Sequence, residues 1–388
     1  METNSQSYIA KTISGLENVL AAELNALGAS EVKVINRAVS FSGDTKLMYT
    51  ANLWLRTALR ILEPVSTFRV NSNDDLYNCI SDYPWESIIN VEQTLAVDAF
   101  ISNSVFNNSQ FVAQKVKDAV VDRFRKKFGK RPSVSIENPD LRINVHITQN
   151  NCNVSLDTSG ESLHKRGYRK ISGQAPLSEV LAAGLILLSG WDKKTTLVDP
   201  MCGSGTILTE AALIAENKAP GIFRNNFGFM NWKNFNTDLW KEIFTDAKRQ
   251  SSKSNVKLFG YDISQRALEG AAQNAVGTGL QENIKLERTP FEKLVPPVRP
   301  GTLLFNPPYG ERIQKDDIVA FYKTIGDIMK QRFSGFEAWL ISSDMDALKH
   351  IGLKPSAKYK VFNGPLECRF VKFNLYEGSK KRKENSEI

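Results

Sequence analysis

The chain has 388 residues, 41% hydrophobic and 24% charged, the balance of an ordinary folded protein rather than of a disordered or collagen-like one. Its four cysteines lie far apart with no C-x-x-C pair and its three histidines are scattered, which argues against a zinc ribbon, a disulfide scaffold or a histidine-based metal centre. The net charge of +8 is uneven, −1 over residues 1–165 and +9 over 166–388, and suits an anionic partner.

No apolar run approaches the roughly 20 residues of a membrane span, the longest being 180–188. Residues 1–7 are polar and lack the layout of a signal peptide, so the chain reads as cytosolic with no membrane partner. The first half reads as α+β. Ser14-x-x-Glu17 is a capping-box pattern opening a helix with Leu16, Val19, Leu20, Leu24 and Leu27 at helical spacing, stopped by Gly28. Short β-like runs at 32–35 and 38–41, a helix around 46–55 and strands near 59–62 and 94–101 follow. Residues 111–128 have helical periodicity, and 141–148 and 152–156 alternate around an Asn150-Asn151 turn. Within 115–131 the basic residues Lys115, Lys117, Arg123, Arg125, Lys126, Lys127, Lys130 and Arg131 face only Asp118 and Asp122. That stripe is either a solvated helix face or a surface for phosphates, where each neutralised phosphate releases counterions.

The basic connector Lys165-Arg166-Gly167-Tyr168-Arg169-Lys170 marks a change of texture. Beyond it helices at 177–188, 207–215, 265–276 and 318–333 alternate with strands at 195–199, 257–261, 283–286, 302–305 and 338–342. This is the signature of a parallel sheet covered on both faces. A closing hairpin follows at 359–362 and 369–376, and the basic tail 379–388 reads as disordered. Residues 217–254 break the rhythm with Phe223, Phe227, Phe229, Trp232, Phe235 and Trp240, too aromatic for a slack linker, and are expected to pack as a helical insertion.

Three loops carry chemistry, all at the carboxyl ends of predicted strands, where open α/β sheets bind ligands. Asp199-Pro200-Met201-Cys202-Gly203-Ser204-Gly205-Thr206 is a strand, a glycine turn and a helix start; the third glycine of a dinucleotide fingerprint is replaced by Leu208. Phe259-Gly260-Tyr261-Asp262 ends the next strand with an acid suited to ribose hydroxyls, or else a helix N-terminal charge, 63 residues after Asp199 because of the aromatic insertion. Asn306-Pro307-Pro308-Tyr309 is the most specific signal. Its prolines fix the backbone and remove two donors, presenting Asn306 and the Pro307 carbonyl as acceptors for the two N–H groups of an exocyclic amine, with Tyr309 as a stacking face for an extruded base.

Together these stretches resemble the class I S-adenosylmethionine-dependent amino-methyltransferases. More narrowly the chain resembles the family joining a THUMP domain to a Rossmann-like methyltransferase half, which includes the bacterial 23S rRNA guanine-N2 methyltransferases. The matching stretches are Lys165-Arg166-Gly167-Tyr168-Arg169, Ala175-Pro176-Leu177-x-Glu179, the Asp199 loop, Ala219-Pro220-Gly221, the Asp262 strand, Asn306 to Arg312 and Asn363 to Arg369. The resemblance implies an α+β ferredoxin-like and THUMP RNA-binding module over 1–160. It also implies a methyltransferase domain over 161–378, with a mostly parallel seven-stranded sheet and a C-terminal hairpin, and with 217–254 as its insertion. It assigns the cofactor S-adenosylmethionine to Leu177, Asp199, Met201, Gly203, Gly205, Thr206, Asp262, Ile263 and Phe291, and the target amine to Asn306, Pro307, Pro308 and Tyr309. RNA would be held by Lys115, Arg123, Lys126, Lys127, Lys130, Arg131, Lys165, Arg166 and Arg169, with no metal required. One departure stands out: Thr289 or Pro290 occupies the place of an acid that often contacts the adenine amine.

The implied reaction is guanine N2 methylation in 23S rRNA or a ribosome-assembly intermediate. Guanine N2 methylation in tRNA is the second reading, and adenine N6 methylation of DNA or RNA a third. Members of the family are often fused to a second methyltransferase, and residues beyond 388 would be needed for that half, so only the guanine activity is expected here.

Overall fold

The computed structural model describes residues 5–171, 177–308 and 315–376. Tyr309, Gly310-Glu311-Arg312, Ala175-Pro176 and the basic tail lie outside them. Two compact units emerge. One comprises residues 1–12, 20–165 and 224–248; the other comprises 13–19, 166–223 and 249–388.

In chain order the elements of the first half are β1 (Gln6–Thr12), α1 (Glu17–Ala26), β2 (Ser30–Ile35), β3 (Ala38–Gly43), α2 (Thr45–Trp54), β4 (Ala58–Arg69), α3 (Asn73–Asp82), β5 (Thr94–Ser102), α4 (Ser109–Phe128), β6 (Ser133–Val134), β7 (Leu141–Thr148) and β8 (Asn151–Asp157). Their strands form one sheet in the order β2-β3-β1-β4-β8-β7-β5-β6. The 12-residue β4 pairs with β1 on one side and β8 on the other, so the strands before residue 70 and those after residue 90 share one hydrogen-bonded sheet. The capping box with both reciprocal bonds is at Ser72 and Asp75 of α3. At the start of α1, Glu17 accepts from the amide of Gly15.

The aromatic segment differs from the expected insertion of the second domain, since residues 224–248 pack within the first unit. The physical reason is Tyr49 of α2, whose ring stacks on Phe229 at 4.3 Å and meets Trp240 edge-on at 6.1 Å. Its hydroxyl accepts from the Asn236 amide at 3.0 Å. Phe227, Phe229 and Trp240 complete the cluster, each ring pair adding to the area removed from water.

The second half continues with α5 (Glu179–Ser189), β9 (Thr196–Asp199), α6 (Thr206–Ala215), α7 (Thr237–Gln250), β10 (Leu258–Asp262), α8 (Gln265–Thr278), β11 (Ile284–Arg288), β12 (Gly301–Phe305), α9 (Lys315–Arg332), β13 (Phe336–Ser342), α10 (Met345–Lys349), β14 (Ala357–Asn363) and β15 (Leu366–Asn374). The second unit's sheet runs β11-β10-β9-β12-β13-β15-β14. It is parallel through β13 and closes with the antiparallel β14–β15 hairpin, as the family resemblance implies. Every residue of β12 is buried, the mark of a central parallel strand covered on both faces. The chain order reverses at β9, which lies between β10 and β12, so the loops after these three strands open at one edge of the sheet.

Candidate functional site

At that edge a cavity of about 370 Å³ is lined by Pro200, Met201 and Gly203 from the β9 loop, Asp262 and Ile263 after β10, Phe291 and Glu292 after β11, Asn306 and Pro308 after β12, and Phe321 on α9. It therefore brings together residues predicted for the cofactor and residues predicted for the target amine. Glu292 and Phe321 are the additions. Glu292 escaped sequence reasoning because it stands one residue inside a short 3-10 turn, Phe291–Lys293, rather than at the strand end. Its carboxylate is an acid on the wall past Thr289 and Pro290. Phe291 is 3% exposed and also packs against Phe305 and Phe333, so it serves the core as well as the wall.

The glycine turn is held by backbone bonds. Gly205 donates to the Cys202 carbonyl at 2.8 Å, and Cys202 donates to the Tyr261 carbonyl at 2.9 Å. Gly203 has a φ of +53° and nothing within 4 Å of where a Cβ would be, which leaves its backbone open to a ligand. Gly205, at φ +73°, has a different role: a Cβ there would come within 2.9 Å of the Ala271 Cβ, so this glycine admits α8 rather than a ligand.

Asp262 and Asp199 are anchored unequally. The two oxygens of Asp262 accept from the Gly203 amide at 3.0 Å and the Ser264 amide at 2.8 Å. Asp199 is 1% exposed and accepts from the Met201 amide at 3.2 Å. Burial pushes its carboxyl up to about 8, with the nearby Asp262 charge adding to the rise and the Met201 amide opposing it. A cation brought next to Asp199 would favour its ionised form. At the other end, Asn306 Oδ1 is buried with no hydrogen-bond partner among the described residues, an orphaned acceptor of the kind a ligand N–H would satisfy.

The basic residues divide. Arg166 is 1% exposed and pairs with Glu210, itself 0% exposed, at 3.6 Å. Tyr168 donates its hydroxyl to the same Glu210 at 2.9 Å. Arg169 pairs with Glu179 at 2.8 Å. Arg166 is enclosed in the second unit and Arg169, its side chain 13% exposed, is committed to Glu179, so neither is offered to phosphates, correcting their expected RNA role; a basic connector paired with acids reads the same in sequence as a free one. Lys165 stays exposed beside Glu161. On α4, Arg123 is held by both oxygens of Glu86, which Lys127 also contacts at 2.6 Å, while Lys115 lies over the Tyr77 ring. Lys126, Lys130 and Arg131 are exposed.

Met201 and Ile263 line the cavity, Ile263 past β10 with 68% of its surface free, whereas Thr206, the first residue of α6, is not among its lining residues. Leu177 is buried just before α5. Among the described residues no group of three His, Cys, Asp or Glu could hold a metal, and no helix is long and apolar enough to cross a membrane. The buried Asp199 carboxyl, the open Gly203 backbone and the Asp262 carboxylate fit a ligand that carries an ammonium and ribose hydroxyls, as S-adenosylmethionine does.

Comparison with known proteins agrees. Residues 166–372 match the RMKL-like methyltransferase domain, 70–157 the THUMP domain and 7–62 the RlmL ferredoxin-like domain. A Synechocystis protein provisionally named as an RNA methyltransferase is 41% identical over 96% of this chain and 97% of its own length. The ribosomal RNA large subunit methyltransferase K/L of Syntrophotalea carbinolica is 41% identical over 95% of this chain, which spans 54% of that relative's length. The crystal structure of SMU.472, provisionally named a methyltransferase and complexed with SAH, superposes with a TM-score of 0.86 at 29% identity, covering 98% of this chain and 100% of that one. The chain belongs to the RMKL-like methyltransferase family, S-adenosylmethionine-dependent enzymes, and carries a THUMP domain for an RNA substrate.

Proposed function

We propose that the chain methylates the exocyclic N2 amine of a guanine in 23S rRNA, or in a ribosome-assembly intermediate, in the cytosol. The carrying observation is the orphaned Asn306 Oδ1 beside a cavity whose other walls are the Asp199 loop and Asp262. The name of the Syntrophotalea relative supports ribosomal RNA as the substrate.

S-adenosylmethionine supplies, when bound, an electrophilic methyl on a sulfonium. Asp199 takes the ammonium as counter-charge, and Asp262 accepts from the ribose. Leu177, Met201, Gly203, Thr206, Ile263 and Phe291 complete this reading of the cofactor site, with Gly205 shaping the turn against α8 and Glu292 as acceptor for the adenine amine. Asn306 Oδ1 and the Pro307 carbonyl take the two N–H groups of the guanine amine, which turns its lone pair toward the cofactor side of the cavity. Guanine N2 is a poor nucleophile because its lone pair is delocalised into the ring. Two acceptors that strengthen as positive charge grows on nitrogen favour the transition state over the ground state, and fixed positioning removes most of the entropy of encounter. The proton departs to water after transfer. Pro308 stiffens the turn; Tyr309, the stacking face expected from the sequence, lies outside the described residues.

Lys115, Lys126, Lys127, Lys130 and Arg131 on and after α4, with Lys165, supply phosphate contacts for a structured RNA read by shape. The test is methyl transfer to RNA from a strain lacking this protein, followed by nucleoside mass spectrometry. Methylated guanine in 23S rRNA is the expected product. Label confined to tRNA, or methylated adenine, would overturn this reading.

A further inference from the structure

The connector 166–171 is stitched to the cofactor turn by two side chains that no motif singled out for that purpose. Arg169 Nη2 donates to the Leu177 carbonyl and to Thr206 Oγ1, each at 3.0 Å, while its Nε pairs with Glu179 at 2.8 Å. One guanidinium thus ties together the residues before α5 and the first residue of α6, both assigned to the cofactor. Because Thr206 Oγ1 accepts from Arg169, its own proton stays free to donate.

Asn274, 2% exposed on α8, does the same from the opposite side of the turn. Its Nδ2 donates to the carbonyls of Ser204 and Ile171, both at 3.1 Å, and its Oδ1 accepts from the amides of Lys170 at 2.9 Å and Ile171 at 3.3 Å. Gly270, Asn274 and Gly277 follow the i, i+4, i+7 spacing of one helix stripe. A Cβ at Gly277 would sit 2.8 Å from the Tyr168 carbonyl, and one at Gly270 would lie 3.2 Å from Ile171. Two glycines inside a helix lower its propensity; here they admit the connector backbone. The same helix meets the turn at Gly205 through Ala271.

The geometry points to Arg169 and Asn274 as positioning residues for S-adenosylmethionine: the connector is part of the cofactor site, and its hydrogen bonds to Thr206, Leu177 and Ser204 hold the turn in its binding shape. Neither side chain needs to touch the cofactor. This inference rests on the cofactor assignment and not on which RNA is methylated.

The test is calorimetric binding of S-adenosylmethionine and SAH to the full chain. Arg169→Met combined with Glu179→Met removes both partners of a buried pair, a change that folds far better than breaking it alone. Cofactor affinity should fall about tenfold, the scale of one or two lost hydrogen bonds, with kcat at saturating cofactor within about twofold of wild type. Arg169→Lys keeps the charge beside Glu179 but cannot span both acceptors, and should lose about threefold. Asn274→Ala should lose about fivefold. A folded double variant or a folded Asn274→Ala with wild-type affinity would overturn the inference, as would a fall in kcat with cofactor KM unchanged. In the unmodified protein, SAH should raise hydrogen-exchange protection of the Lys170 and Ile171 amides together with that of the cofactor turn. Protection of the turn alone would overturn it without touching the assignment of the RNA target.

Discussion

The two ends of the cavity follow opposite rules. At the β10 end each oxygen of Asp262 already accepts a backbone N–H, so the carboxylate ties the loop after β9 to the loop after β10. At the β12 end Asn306 Oδ1 is buried and unpartnered among the described residues. Asp199 stands between, with one amide at 3.2 Å and 1% exposure. A carboxylate tied to the backbone in this way holds a scaffold in place and keeps lone pairs for a ligand, whereas a buried acceptor with no partner costs free energy that a ligand N–H would recover. The contrast separates Asp262, which shapes the site as well as facing the cavity, from Asn306, whose acceptor is left for a ligand.

The strongest way to break the contrast is Asn306→Ala. On the present reading kcat falls by a factor of about 100 or more, the range for losing one transition-state acceptor. Calorimetry should show cofactor affinity within about twofold of wild type. Half the wild-type turnover in a folded variant would sink the role given to Asn306.

Asp199→Asn comes next in size. It keeps the shape of the side chain and removes the counter-charge, so cofactor affinity at pH 8 should fall about tenfold or more. An unchanged dissociation constant would show that the ammonium is held elsewhere.

The titration of Asp199 sharpens the same point. Its folded value of about 8 lies above the ordinary carboxyl range, so the native state holds this proton more tightly than the unfolded chain does. The stabilising contribution is complete at low pH, declines once the pH exceeds the ordinary carboxyl value, and is gone above about 8. A cationic ligand favours the ionised form and reverses the trend. Cofactor affinity should therefore rise with pH, by at most about tenfold per unit, and level off above about 8, with proton release on binding below that point. Equal affinity at pH 6 and pH 8, or a rise that persists in Asp199→Asn, would count against the assignment.

The smallest expected effect concerns the first unit, where the same test of saturation applies to cations. Arg123 is saturated by Glu86, while Lys126 and Lys130 are exposed. Reversing Lys126 and Lys130 to Glu should weaken RNA binding about threefold to tenfold at low salt and flatten the slope of log affinity against log salt by roughly two. An unaltered slope would remove α4 from the RNA surface.

Much of this site was legible before folding was considered. Asn306-Pro307-Pro308 dictates its own geometry, because two prolines fix the chain wherever they stand, and the Gly203 turn follows from a strand, a glycine and a helix start. Glu292 was not legible: it reaches the wall through a 3-10 turn, and no local pattern announces which way such a turn points a side chain. The arginines of the connector were misread for a related reason. Arg166 and Arg169 look like a phosphate-binding run, yet their partners Glu210 and Glu179 stand 44 and 10 residues away in the chain, on α6 and α5.

Periodicity and loop chemistry are local, and so the amino-acid order determined the alternation of strands and helices, the parallel sheet with its closing hairpin, and the three loops at its edge. Burial and partnership are properties of three-dimensional neighbours. Only the tertiary structure decided that Tyr49 draws residues 224–248 into the first unit, that Asp199 is stripped of water while Asp262 is tied down, and which positive charges are spent inside the protein rather than offered to RNA. A charge has the same sequence signature in either place; its dielectric surroundings and its counter-ion are supplied by residues that folding brings to it.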